Sequence, residues 1–247
     1  MEIDVALVPS QARAWRRTVC VVVDELRASS TITALLDMGC AELLLTASVP
    51  AARRLAREHG SLLSGERHGR TPAGFDFNNS PAELLRADVR GRSVVLCTSN
   101  GTRVLDRLRG MPATLIGCLL NARACAESAI GLAESLGADV GIVCAGQLGR
   151  FALDDAYAAG VIVDRLVDVA GERGLAVRVR DAARAARRLR STYPDALAAF
   201  EDSETGRVVV DIGAAEDLEL CARVDSSRTV PILRDGPPLR IERLGLG

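Results

Sequence analysis

Thr18-Val-Cys-Val-Val-Val-Asp-Glu-Leu-Arg-Ala-Ser-Ser-Thr-Ile32 is the stretch from which the rest of this 247-residue chain can be read. Thr18 to Val23 is a short β-branched run without polar alternation, the pattern of a strand buried on both faces. It stops at Asp24, so a carboxylate sits at the strand's C-terminal end. Arg27 follows, and Ser29, Ser30 and Thr31 lead into Ile32, Leu35 and Leu36, which share one face of a helix ended by Gly39. In open α/β sheets ligands bind at this strand-to-helix edge, where free backbone N–H groups and the helix dipole favour anions. An acid, an arginine and three hydroxyls on one turn read as half of a site for a metal and a phosphate-like group.

The chain is long enough to bury a sizeable core. With 31 basic against 32 acidic residues the net charge is −1, which gives no electrostatic reason for a nucleic-acid or membrane partner. Every basic side chain other than two histidines is arginine, so any mechanism needing a catalytic lysine is excluded. The start, MEIDVALVPS, has acids where a signal peptide has positive charge, and no charge-free segment reaches membrane-span length; a cytoplasmic protein is the expectation. Seven cysteines without a C-x-x-C pair fit buried thiols better than disulfides or a zinc cage.

Outward from the opening stretch, strands and helices alternate. Ile3 to Val8, Ala41 to Thr46, Ser61 to Ser64, Ser93 to Cys97, Ala113 to Cys118 and Val140 to Cys144 read as strands. Helices are predicted after them: one capped by Ser48 with Pro50 in its first turn and ended by Gly60, a brief one opened by Ser80-Pro81, one carrying Val104, Leu105 and Leu108, one from Asn121 to Leu136, and one from Asp154-Asp155 to about Val169. This rhythm implies right-handed crossovers and an α/β fold with a mainly parallel sheet covered by helices on both faces, three layers in all. Beyond Gly174 the texture changes: Arg178 to Arg190 and Pro194 to Glu201 read as helices, and Val208 to Ile212, Thr229 to Leu233 and Leu239 to Leu244 as strands. A core of residues 1–170 and a smaller α/β C-terminal lobe of 171–247 is the expected division, with one domain over 1–247 as the other arrangement.

Four loops recur at predicted strand C-termini: Asp24 to Thr31, Gly65 to Ser80, Thr98 to Arg103, and Cys144 to Asp155. A parallel sheet would bring them to one edge. Asp24, Glu66, Asp76 and Asp154 would then stand near Arg27, Arg67 and Arg103, with hydroxyls from Ser30, Thr31, Thr98 and Thr102. Hard oxygen donors, arginines and helix N-termini describe a Mg²⁺-assisted phosphoryl site, in which a carboxylate orients the attacking water. Taken singly, each loop has a plainer reading, with Asp24 and Asp154 as helix caps and the arginines solvated. Four loops at equivalent positions favour the site, because caps alone do not require Arg27 or Thr98-Ser-Asn-Gly-Thr102.

Rival chemistries leave weaker traces. Cys144 and Arg150 have the C-x5-R spacing of cysteine phosphatases, but Phe151 follows instead of a hydroxyl residue, and a plain buried Cys144 is the competing reading. There is no G-x-x-x-x-G-K-[ST], G-x-G-x-x-G or G-x-S-x-G. His68, in a long polar loop, is a candidate general acid, and a solvated histidine is its plainer reading. A non-catalytic anion-binding protein would keep the same pocket.

Asp24-Glu-Leu-Arg-Ala-Ser-Ser-Thr-Ile32, Gly65-Glu-Arg67, Gly74-Phe-Asp-Phe-Asn-Asn-Ser-Pro81, Thr98-Ser-Asn-Gly-Thr-Arg103, Asn121-Ala122 and the segment from Val143 to Asp155 together resemble the ordered signature blocks of the 2-phosphosulfolactate phosphatase family. They cover about Val19 to Gly160. Glu25 replaces an apolar residue, Ser99 stands where a second threonine is usual, and Ser191-Thr-Tyr-Pro-Asp195 departs from a Ser-x-His-Gly-like segment. The resemblance implies a cytoplasmic Mg²⁺-dependent α/β phosphatase that converts 2-phosphosulfolactate to sulfolactate and phosphate, a step of coenzyme M biosynthesis in methanogens. With it, Asp24 and Glu66 are expected to hold Mg²⁺, and Asp76 or Asp154 to orient water. Arg27, Ser30, Thr31, Arg67, Asn100, Gly101, Thr102, Arg103 and Asn121 are expected to meet a small anionic phosphorylated substrate. A phosphatase for another small phospho-acid is the runner-up, and the assembly is left open, a homodimer included.

Overall fold

The computed structural model describes residues 1–234 and 236–245. Its elements follow in chain order: β1 (Glu2–Ala6), a 3₁₀ turn (Pro9–Ala14), β2 (Thr18–Val23), a π-type turn (Glu25–Ser29), α1 (Ser30–Asp37), β3 (Glu42–Thr46), α2 (Val49–His59), β4 (Leu62–Gly65), α3 (Pro81–Leu84), β5 (Ser93–Cys97), α4 (Asn100–Arg107) and β6 (Ala113–Ile116). A 3₁₀ turn (Leu119–Asn121), α5 (Ala122–Leu136), β7 (Asp139–Cys144), α6 (Leu153–Glu172), β8 (Arg178–Val179), α7 (Asp181–Ser191), α8 (Ala196–Asp202), α9 (Glu204–Asp211), α10 (Glu216–Cys221), β9 (Pro231–Arg234) and β10 (Leu239–Arg243) complete it. Local chemistry sets several boundaries: Ser48 accepts the Ala51 amide at the start of α2, and Gly60 ends that helix in the left-handed region.

The ten strands form one sheet in the order β4-β5-β3-β10-β9-β6-β2-β7-β1-β8. The α/β architecture with a mostly parallel sheet is as the sequence indicates. Within it, the adjacencies of the β9–β10 hairpin are antiparallel and the others parallel. Three antiparallel steps therefore separate β4-β5-β3 from β6-β2-β7-β1-β8, and the two parallel blocks run in opposite senses along the ladder. One side of β2 (Val19, Val21, Val23) packs on α5 and α6 through Ala126, Ile130, Ile162 and Leu166. The other side (Cys20, Val22) shares a core with Leu43 and Leu45 of β3, Val94 and Leu96 of β5, Leu35 of α1 and Leu105 of α4. The sheet thus folds over on itself, and strand ends from the two blocks face each other across that second core.

The β-branched run Val208 to Ile212 is not a strand. Ser203 accepts the Gly206 amide at 2.8 Å and caps α9, and Val209 alone of its three valines is fully buried, with Val208 and Val210 exposed. The cap and a single apolar contact line outweigh β propensity. Helix α10 had no counterpart in the sequence reading. Arg178 to Arg190 divides into β8 and α7. All seven cysteines are buried free thiols.

Asn121 is buried where these layers meet. Its Oδ1 accepts the Cys118 amide, and its Nδ2 donates to the carbonyls of Ile116 (3.2 Å) and Thr229 (2.9 Å). It ties the end of β6 to the segment entering β9, and its amide is committed to that clamp. Asn121→Ala would strand buried polar groups, so a loss of about 2–3 kcal/mol is expected, read as a lower denaturation midpoint at unchanged m-value.

Candidate active site

The ends of β2 and β5 are joined by one side chain. Asp24 Oδ2 accepts the Gly101 amide at 2.7 Å, from the first turn of α4, and Oδ1 faces the Ala28 amide at 3.4 Å. A Cβ at position 101 would lie 2.9 Å from Asp24 Oδ2, so only glycine permits the approach. Glu66 arrives from the end of β4, where Gly65 has φ +153° and a Cβ would meet the Cys97 carbonyl at 2.3 Å. Its carboxylate accepts the Gly69 amide (2.9 Å) and the Ser99 hydroxyl (3.1 Å). The acids of two loops and the N-terminus of α4 from a third therefore border one cleft.

That cleft, about 370 Å³, is lined on its polar side by Asp24, Arg27, Glu66, Arg67, Asn79, Thr98, Asn100 and Arg103, and also by His68, the candidate general acid of the long loop. Its apolar side is Leu26, Leu148, Val208, Val209 and Ile212. Arg67 and Arg103 are exposed at the rim, and Arg27 is buried. Arg27 donates to Asp217 Oδ2 (2.6 Å) and to Asn78 Oδ1 (3.0 Å). Larger grooves elsewhere lack this chemistry. One of about 560 Å³ beside β3 and β10 has its arginines, Arg240 and Arg243, already paired with Glu42 and Asp37.

The expected site residues fall into separate groups. Asp24, Glu66, Arg27, Arg67, Asn100 and Arg103 line the cleft. Gly101 and Thr102 lie just beneath it, Thr102 bonded to Thr98 at 2.9 Å. Ser30 is buried on the Glu25 carboxylate and carbonyl, and Thr31 is buried with its hydroxyl unpartnered. Asp76 is exposed and holds the Leu63 amide at 2.7 Å, outside the cleft. Cys144 is fully buried, lines none of the cleft, and burial pushes its thiol well above the usual range. A thiolate there would be strongly disfavoured, which removes the basis for reading C-x5-R as a nucleophile motif.

Behind the cleft lies a set of buried carboxyls. Asp155, at the start of α6, accepts the amides of Glu25 (2.8 Å) and Gly146 (2.7 Å), tying the β2 and β7 loops together. Glu25 is buried on the Leu119 amide and Ser30. Asp154 is buried with Oδ1 unpartnered. Burial pushes Asp154 up to about 6, and the nearby Asp24 charge adds to it. Asp24 likewise rises to about 6, because burial and Glu66 outweigh the Gly101 amide and Arg27. Desolvation holds Asp155 and Glu25 well above ordinary carboxylates. Sequence reasoning missed Asp155, Asn78, Asp217 and Thr205, the last of which lines the cleft; only the Asp154-Asp155 doublet at a helix start gave any signal.

The family model for 2-phosphosulpholactate phosphatase matches residues 6–236. The chain belongs to the 2-phosphosulfolactate phosphatase family. It is 37% identical over 235 residues to a Thermus thermophilus protein named probable 2-phosphosulfolactate phosphatase, covering 95% of each chain. A Deinococcus radiodurans protein of the same name is 38% identical over 88% of each chain. The Methanothermobacter thermautotrophicus protein named 2-phosphosulfolactate phosphatase is 37% identical, again over 88% of each. This membership places the chain among phosphoric monoester hydrolases. No helix among the described residues is long and apolar enough to cross a membrane.

Two outcomes follow from the geometry. Gly101→Ala is expected to displace Asp24 and lower kcat/KM at least about tenfold, with the melting temperature used to check that the fold persists. Folding favours the protonated form of Asp154, so its contribution to stability is complete below its ordinary value of 3.8 and is lost as pH rises through about 6. Asp154→Asn should therefore be more stable than the parent at pH 8, by about 1–3 kcal/mol, with the difference vanishing near pH 4 in denaturant titrations.

Proposed function

We propose that this protein is a Mg²⁺-dependent phosphatase that hydrolyses 2-phosphosulfolactate to 3-sulfolactate and inorganic phosphate. The observation that carries the reading is the pairing, around one cleft, of two oxygen-donor carboxylates, Asp24 and Glu66, with Arg27, Arg67 and Arg103. Among the described residues no three His, Cys, Asp or Glu side chains form a ready cage. Two carboxylates are what Mg²⁺ ordinarily takes from a protein when substrate phosphate oxygens and waters complete its shell, so the donor set fits. Bound there, Mg²⁺ would neutralise phosphate charge as a Lewis acid.

The remaining work falls to the chain's own groups. Arg27, fixed on Asp217 and Asn78, presents its remaining N–H donors to a phosphate oxygen. Arg67 and Arg103, exposed at the rim, attract the carboxylate and sulfonate. Ser99 and Gly69 hold both oxygens of Glu66 in place. Asp154 does not line the cleft but is buried behind it beside Asp24 with an unpartnered oxygen, so it is the acid to which the proton of the attacking water can pass by way of Asp24; Asp76 is exposed away from the cleft. The apolar wall of Leu148, Val208 and Ile212 favours a second reading, a phospho-acid whose far end is neutral.

Phosphate release from 2-phosphosulfolactate and a panel of phosphorylated hydroxy acids tests both readings. The expected result is highest kcat/KM on 2-phosphosulfolactate, activity lost in EDTA and restored by Mg²⁺, loss of at least about 10²-fold in Asp24→Asn, and retention in Cys144→Ser. Activity that survives EDTA, or that disappears in Cys144→Ser while the fold persists, would overturn the metal-dependent mechanism. A higher kcat/KM on an acid with a neutral end would select the second reading.

A further inference from the structure

Arg27 is the one arginine of the cleft that is buried, and a buried guanidinium is costly unless a fixed counter-charge faces it. Its partner comes from 190 residues away. Asp217, in the first turn of α10, is wholly buried and meets Arg27 Nη1 with Oδ2 at 2.6 Å. Asp217 Oδ1 is held in turn by the Ser80 hydroxyl (2.8 Å) and the Ala82 amide (3.0 Å). With both oxygens tied, the carboxylate has no freedom to rotate. The other limb of the guanidinium rests on Asn78, whose own amide group donates to the Gly69 carbonyl at 3.0 Å. Gly69 closes onto Glu66. A run of hydrogen bonds therefore leads from Asp217 through Arg27, Asn78 and Gly69 to the Glu66 carboxylate of the cleft.

We propose that Asp217 is a positioning residue for the anion site: it sets the charge balance and the angle of the Arg27 fork, so that the C-terminal segment determines how tightly the cleft holds a phosphoryl group. This rests on the phosphatase reading for its kinetic consequence, but not for its binding consequence. Asp217 does not reach the substrate; its effect passes through Arg27. Isosteric Asp217→Asn removes the charge and can turn an NH₂ toward Arg27, donor against donor, without changing side-chain volume. Ser80→Ala is a milder variant that only frees the carboxylate to rotate.

The test is calorimetric binding of inorganic phosphate to the Mg²⁺-loaded full chain for wild type, Asp217→Asn, Ser80→Ala, Arg27→Ala and the Asp217→Asn/Arg27→Ala double variant, with phosphate-release kinetics alongside. Asp217→Asn is expected to weaken phosphate binding about tenfold or more and to raise KM at least as much as it lowers kcat. Ser80→Ala should weaken binding severalfold, and this reading stands in if Asp217→Asn fails to fold. The double variant should bind no more weakly than Arg27→Ala alone. Unchanged phosphate affinity in the folded Asp217 or Ser80 variant, or losses that add in the double variant, would overturn the proposal. Wild type that binds phosphate but turns over none of the phospho-acids would instead overturn the phosphatase reading, leaving the binding comparison intact.

Discussion

A single carboxylate, Asp24, holds the two halves of this molecule in register at the place where chemistry is proposed. Its hydrogen bond to the Gly101 amide spans two parallel blocks that run in opposite senses along the sheet. It is the direct bond between the β2 and β5 loops; the Arg27–Asn78 and Ser99–Glu66 bonds connect them only through the β4 loop, and the apolar core between them fixes orientation hardly at all. The requirement for glycine at 101 follows from the same closeness. Helix α4 gains a charged group at its N-terminus from another strand, a favourable arrangement for the dipole. Burial nevertheless wins over the dipole and the amide, and the carboxyl is pushed up to about 6.

That balance recurs across the site. Asp154 and Asp155 stand side by side at the start of α6, against Glu25 and Asp24, with Arg27 the only buried cation among the described residues. A core optimised for stability would not gather carboxyls this way, since each raises the cost of ionising the next. The same gathering creates a field that favours a divalent cation and keeps a proton-accepting group near neutrality. The rim supplies the opposite sign through Arg67 and Arg103, so the cleft is polarised from an acidic floor to a basic mouth.

The turns of Asp24, Asn100 and Asp154 were legible because each follows a β-rich run and precedes a helical face, and Glu66 because it opens a long polar loop at a strand end. Asp24, Glu66 and Asn100 were expected together at one edge of a parallel sheet; they meet instead because two oppositely running blocks fold over a shared core. The insertion of the β9–β10 hairpin between β3 and β6 was not legible, because its short strands gain their partners from the far side of the chain. Val208 to Ile212 misled for the opposite reason: a strand-like composition was overruled by the Ser203 cap and by packing of Val209. Asn121 was recognisable as a motif residue, yet its amide clamps the end of β6 to the segment entering β9 rather than facing the cleft. Asp217 sits among Glu216, Leu218 and Glu219 with nothing local to mark it, and only its burial against Arg27 reveals a connection to the site.

Where an anion and a divalent cation settle together decides whether the Asp24 cleft is the active site. A crystal structure of the protein soaked with Mg²⁺ and inorganic phosphate measures this directly. The expected density lies in the cleft, with the cation on the Asp24 and Glu66 side and the phosphate against the Arg27 fork. Ions bound instead in the groove beside β3 and β10, or along the arginines of α7, with the Asp24 cleft empty, would contradict it.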